Sequence, residues 1–187
     1  SGSECVLENG TQIDVGCDGK GFALDEVKKL LDSEKADCAV VSFGSSTLLY
    51  GQKPDKTDFK VAVTDPFDND NTCLSFTSGG GSVSTSGGYE RYFEENGVTY
   101  HHIIDPKTGY PSDSDLTSVT IVCADGTKAD ALSTSFFVMG LQKAESFYEN
   151  TDLDFDVILL TKDNQIYISE GIAQNFTSDY TVNVLKK

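Results

Sequence analysis

Residues 116–140 read LTSVTIVCADGTKADALSTSFFVMG. In LTSVTIVC, Leu116, Val119, Ile121 and Cys123 are candidates for burial in a strand. KADALSTSFFVMG then reads as a helix, with Thr127 near its start and Gly140 closing it. A second helix, QKAESFYEN, follows, and DVILLTKDNQIYISEGI reads as a hairpin turning at Lys162-Asp163-Asn164.

Upstream, FKVAVTDP alternates as a strand and stops at Pro66, and DPFDNDN reads as a solvated acidic loop. CAVVSFGSSTLLYG reads as two buried strands broken at Gly44-Ser45-Ser46. CLSFTSGGGSVSTSGGY alternates Leu74, Phe76 and Val83 and runs into the aromatic YERYF, so it is not a linker. GKGFALDEVKKLLDSEK predicts a helix with Phe22, Val27, Leu30 and Leu31 on one face, and ENGTQIDVG predicts a turn at Asn9-Gly10 leading into a short strand. Strands and helices intermingle without a βαβ repeat, which predicts an α+β fold. With no linker or internal repeat, the expectation is one domain over residues 4–187, and Ser1-Gly2-Ser3 reads as a cloning scar.

The chain has 187 residues, 30 acidic against 14 basic, and a formal charge of −16. Such a surface repels phosphate backbones, so no nucleic-acid partner is expected, and the basic residues, with Arg91 the single arginine, form no run. An anionic cofactor would need a metal ion or backbone N–H groups to offset its charge. No stretch approaches the length of a membrane-spanning helix. Cys5, Cys17, Cys38, Cys73 and Cys123 form no CxxC pair and read as small buried hydrophobes. Walker, dinucleotide-binding, GxSxG and HExxH motifs are missing, and with two vicinal histidines a structural zinc site is not expected.

Four segments carry chemistry. IDVGCDGKGFALD (13–25) places glycines before a helix N-terminus, which suits an anion, although an ordinary glycine-rich turn explains it too. SVSTSGGYERYF (82–93) mixes hydroxyls, glycines and aromatics as a flat ring would need, or as a turn between strands would. YHHIIDPKTGYP (100–111) holds the only two histidines, His101 and His102, before a rigid Asp-Pro-Lys-Thr-Gly turn. In KADALSTSFF, Asp130 and Thr134 share a helical face, a plausible hard-cation site or a common helix-start arrangement.

In this order the segments IDVGCDGKGFALD, SGGYERYF, HHIIDPKTGYP and ADALSTSFFVMG resemble the ApbE family, the FAD:protein FMN transferases, over roughly residues 13–140. The resemblance implies an enzyme that splits FAD with Mg²⁺, attaches FMN to a threonine of a target flavoprotein and releases AMP. The alternatives are an Mg²⁺-dependent FAD pyrophosphatase, giving FMN and AMP, and a non-catalytic flavin-binding fragment. By position, Asp14, Lys20, Ser86, His102 and Ile103 would hold FAD. The Cys17 carbonyl, Asp130 and Thr134 would hold Mg²⁺, and His102 would be the base, leaving His101 structural. It also implies an extracytoplasmic lipoprotein. Gly44-Ser45-Ser46 replaces the family's Gly-Gly-Asn or Gly-Gly-Asp, and Cys17-Asp18 replaces a small and an aliphatic residue. Twelve residues precede Ile13 where the family has a longer segment bearing part of the FAD surface, so the chain is expected to be the C-terminal portion of the family's usual length or a shortened relative.

Overall fold

A computed structural model describes residues 4–187; the expected scar at 1–3 lies outside the described residues. Seven strands make the main sheet, in the order β1 (Cys38–Phe43), β2 (Ser46–Gly51), β5 (Gly81–Gly87), β8 (Leu116–Cys123), β9 (Asp156–Thr161), β10 (Gln165–Ser169) and β12 (Thr181–Leu185). All neighbours are antiparallel except β10 and β12. Strands β3 (Phe59–Asp65), β4 (Asp68–Ser78) and β11 (Phe176–Thr177) form a second sheet, and β6 (Tyr92–Glu95) with β7 (Val98–His101) form a separate hairpin. The helices are α1 (Gly19–Ser33), α2 (Gly126–Met139), α3 (Leu141–Asn150) and the single-turn α4 (Glu170–Ala173). The expected α+β fold is what forms.

The reason lies in β8 and β9. Val157 and Leu159 pack with Phe136, Phe137 and Ala144 of α2 and α3, whereas Ile158 and Leu160 pack with Phe59, Val63, Leu74 and Phe76 of the second sheet. A strand buried on both faces reads as a continuous apolar run, as DVILL does. Helices α2 and α3 thus cover one face of the main sheet, and the small sheet, joined by Ile172 of α4, covers the other.

Five expectations need correction. On α1 the buried residues are Gly21 and Leu24, while Phe22 and Leu30 of the expected face are each 57% exposed. The reason is a backbone crossing: a Cβ on Gly21 would stand 2.0 Å from the Gly126 carbonyl oxygen, so α1 turns its glycine, not its largest apolar side chains, toward α2. The turn at Asn9-Gly10 forms with positive φ at both residues (54° and 74°), but no strand follows it. Strand β1 is the sheet edge and Val40 is 60% exposed, so only β2 of that pair is well buried. DPFDNDN is a tight turn whose acidic part already belongs to β4. Of the cysteines, Cys73 and Cys123 are buried, Cys38 is intermediate, and Cys5 and Cys17 are exposed, all of them free.

Candidate active site around Asp130 and His102

Helix α2 starts at a fixed point. The Asp125 carboxylate accepts the Lys128 N–H at 2.9 Å as an N-cap. From α1, Asp25 accepts the N–H groups of Gly126 (2.7 Å) and Thr127 (2.8 Å) and the Thr127 hydroxyl (2.6 Å). Burial pushes the Asp25 carboxyl up, but these three donors outweigh it and hold it below its ordinary value. Sequence reading quoted Asp25 without a role. Its role is to clamp α1 to α2, and thereby to fix where Asp130 stands.

Asp130 is 1% exposed. Its Oδ2 accepts the Gly21 N–H at 2.9 Å, and its Oδ1 accepts Ser46 Oγ at 3.2 Å and pairs with Lys20 Nζ at 3.3 Å. Ser84 Oγ donates to Ser46 at 2.7 Å and lies 3.4 Å from Asp130 Oδ1. The structure therefore joins Lys20, expected at FAD, to Asp130, expected at the metal. Ser46 and Ser84 were missed by sequence reading. The signal was the alternation of Ser82, Ser84 and Ser86 along β5, a strand face that hydroxyls line under a helix.

One turn further along α2 the hydroxyl directions can be assigned. Ser133 Oγ donates to the Asp130 carbonyl at 2.8 Å, so in its 2.8 Å contact with Ser86 it must accept. Ser86 therefore donates to Ser133, and Thr134 donates to Ser86 across 3.1 Å. Thr134 is left with lone pairs to offer. Ser86, expected at the cofactor, has its hydroxyl proton engaged in this chain. Cys17 sits in the turn before α1, exposed, and its thiol is pushed up first by burial and also by Asp18, Asp130 and Asp14, which puts it within the field of Asp130. Asp14 is exposed and folds its carboxylate onto the Gly16 N–H at 2.6 Å, closing the loop. Among the described residues no three His, Cys, Asp or Glu side chains converge on a metal position. The available set is a carboxylate, a hydroxyl and a carbonyl, hard oxygen donors that fit Mg²⁺ better than a softer ion.

The two histidines play different parts: β7 ends at His101, and His102 lies in the bend that follows. His101 Nε2 lies 3.1 Å from the Ser112 carbonyl, to which it must donate, and its Nδ1 accepts the Ile103 N–H at 3.3 Å. Its ring stands edge-on to Phe137, with centroids 5.6 Å apart. Burial lowers its pKa, so the ring is neutral with both nitrogens used. His101 is structural. Ile103, expected at FAD, has a side chain 5% exposed in the helix-side core, and its N–H and C=O bond His101 and Ser112, so it supports the histidine turn.

His102 is different. Its backbone N–H (3.2 Å) and its Nδ1 (3.1 Å) both point at the Arg91 carbonyl, and a carbonyl only accepts. Nδ1 therefore carries a proton, so in the neutral ring the lone pair sits on Nε2, and the side chain is exposed. The Asp105–Gly109 turn behind it is fixed by Asp105 Oδ1 on the Lys107 N–H at 2.9 Å and by Gly109 at φ 72°. Beside it, desolvation raises the Glu90 pKa, opposed by a Ser45 hydrogen bond and by the charges of Lys20, His102 and Arg91. Glu90 is exposed and feels the charges of both Lys20 and His102. Tyr89, Tyr92, His101, Pro111, Phe137 and Lys162 line a cavity of about 480 Å³, which takes in the aromatic half of 82–93.

Residues 3–159 match the ApbE family. The chain belongs to the ApbE family. Among curated members, it is 36% identical over 176 residues to the FAD:protein FMN transferase of Treponema pallidum, covering 89% of this chain and 48% of that protein. It is 34% identical over 165 residues to that of Klebsiella pneumoniae, covering 88% and 50%. The crystal structure of the ApbE protein from Thermotoga maritima superposes with a TM-score of 0.80 at 36% identity, covering 89% of this chain and 54% of that one. The flavin transferase ApbE from Vibrio cholerae gives 0.69 at 26%, covering 90% and 50%. This ApbE chain spans about half the length of the curated relatives it matches.

Proposed function

We propose that this chain carries the metal-binding and general-base portion of an Mg²⁺-dependent FAD:protein FMN transferase. The observation that carries the reading is the geometry of His102: its Nδ1 proton is pinned on the Arg91 carbonyl, which leaves Nε2 as the open nitrogen of an exposed ring. In the proposed reaction a threonine hydroxyl of the target flavoprotein attacks the phosphorus of the FMN half of FAD. His102 Nε2 takes the hydroxyl proton as the P–O bond to the AMP half breaks, and AMP leaves with the electron pair. A positioned base of this kind contributes ~10²–10⁴-fold.

Asp130, Thr134 and the Cys17 carbonyl would hold Mg²⁺, which would neutralise charge on the phosphate oxygens. Lys20, in the first turn of α1, adds the protein cation paired with Asp130 there. The relatives support the substrate and the transfer; the oxygen donor set supports magnesium, and the threonine acceptor rests on the family resemblance alone. By resemblance we also propose an extracytoplasmic setting reached through a lipid anchor, tested by fractionating cells that express the protein.

Chromatography of FAD incubated with this chain tests the chemistry, with Mg²⁺ or EDTA and with or without a threonine-bearing acceptor domain. AMP that appears only with Mg²⁺ and acceptor, together with fluorescence on the acceptor band, is the expected outcome. AMP and free FMN without acceptor would replace the transferase by a pyrophosphatase, and no AMP at all would contradict turnover by this chain.

A further inference from the structure

Asp130 poses a problem of charge that the reaction alone does not explain. A carboxylate 1% exposed costs several kcal/mol to desolvate unless it is compensated. Oδ2 has one good donor, the Gly21 N–H at 2.9 Å. Oδ1 has three long ones, at 3.2 Å from Ser46, 3.3 Å from Lys20 and 3.4 Å from Ser84. Charge-assisted bonds run about 2.7–2.9 Å, so Oδ1 is loosely held on every side. The Ser84 proton, moreover, belongs to the 2.7 Å bond with Ser46.

Lys20 is placed against its own helix. It stands in the first turn of α1, where the helix dipole disfavours a cation, and its side chain is 39% exposed. A flexible stem anchored at an anion-favouring helix end, with its ammonium loosely set on Oδ1, has somewhere else to go once an anion arrives.

Resting on the metal reading above, we infer that Lys20 is a resident counter-cation for Asp130, which yields Oδ1 to the divalent cation and turns to the pyrophosphate of FAD. Lys20 then links the two ligands. Each cation bound at Asp130 releases an ammonium for the phosphates, so metal and FAD strengthen one another's binding, reciprocally. No bond is made or broken in the exchange; one ion pair replaces another.

The test is direct metal binding, read as free Mn²⁺ by electron paramagnetic resonance, for the wild-type chain and for Lys20→Met, Lys20→Arg and Asp130→Asn, each checked for folding by its melting curve. Without FAD, Lys20→Met binds Mn²⁺ roughly three- to tenfold more tightly than wild type, the gain expected when a part-exposed charge-assisted contact stops competing. Lys20→Arg keeps the competing charge and stays near wild type, and Asp130→Asn loses saturable binding. By flavin fluorescence anisotropy, Mg²⁺ improves FAD affinity more in wild type than in Lys20→Met. An unchanged or weaker Mn²⁺ affinity in Lys20→Met overturns the inference and leaves the metal reading standing if Asp130→Asn still abolishes binding. If Asp130→Asn binds Mn²⁺ like wild type, or wild type does not bind it, the metal reading itself falls.

Discussion

Strands β5 and β9 flank β8 in the same sheet, yet they do opposite things. On β9, Val157 and Leu159 fill the helix-side core while Ile158 and Leu160 fill the core beneath the second sheet. On β5 only Val83 is core, and Ser84 and Ser86 turn to α2, where they meet Asp130, Ser133 and Thr134. Strand β9 holds the sheet together, and the candidate site lies over β5. Buried hydroxyls are tolerable there because nearly all are bonded; among the described residues Ser82 Oγ and Ser118 Oγ are the buried side-chain atoms without a partner.

The contrast can be broken from either side. The largest effect is expected at the site: His102→Ala lowers FMN transfer by about 10²–10⁴-fold while the melting temperature and FAD affinity stay near wild type. A variant that still transfers FMN at the wild-type rate would remove the general-base role. On the scaffold, Leu159→Ala leaves a cavity in a fully buried position and costs about 2–5 kcal/mol in denaturant unfolding. A loss under 1 kcal/mol would mean that β9 is not the brace described.

Between the two stands the α1–α2 clamp. Asp25→Ala strips three donors of their acceptor and costs about 1–3 kcal/mol, and it also weakens Mn²⁺ binding, because Asp130 loses its fixed position. The sign with pH follows from the lowered carboxyl. Asp25 contributes stability above the ordinary 3.8 and loses it as pH falls through the lower folded value, so acid unfolding of Asp25→Asn shows a shallower slope there. His101 titrates in a different window. Its folded pKa is depressed below 6.5, so the unfolded chain takes up the proton first, and stability falls as pH drops from 6.5 toward the folded value. Replacing His101 by Gln removes that pH dependence; a slope that persists would assign it to another group.

The smallest effect is at Ser84. Ser84→Ala removes a hydroxyl whose main bond is to Ser46, so stability changes by about 1 kcal/mol or less.

Much of this was legible without coordinates. The Lys162-Asp163-Asn164 hairpin, the α2 and α3 boundaries at Gly140 and the burial of Leu116, Val119, Ile121 and Cys123 follow from period and turn chemistry, which are local. The separation of His101 from His102 does not follow from strand alternation, because β7 ends at His101 and His102 lies in the bend after it. The α1 face was misread because Phe22 and Leu30 have the right period, but a 2.0 Å approach between Gly21 and Gly126 decides which side of the helix can reach α2. Period ranks faces by hydrophobicity, whereas packing ranks them by how closely two backbones can come.

The sequence by itself determined which chemical groups the candidate site has to draw on, because a carboxylate, an imidazole or a lysine is what it is wherever it sits. Only the tertiary structure decided their partners. Lys20 meets Asp130 across 110 positions of chain, Asp25 reaches Thr127 across 102, and the Arg91 carbonyl assigns the tautomer of His102 across 11. Those contacts are set by the crossing of two helices and the pairing of a hairpin, long-range geometry that no local spacing encodes.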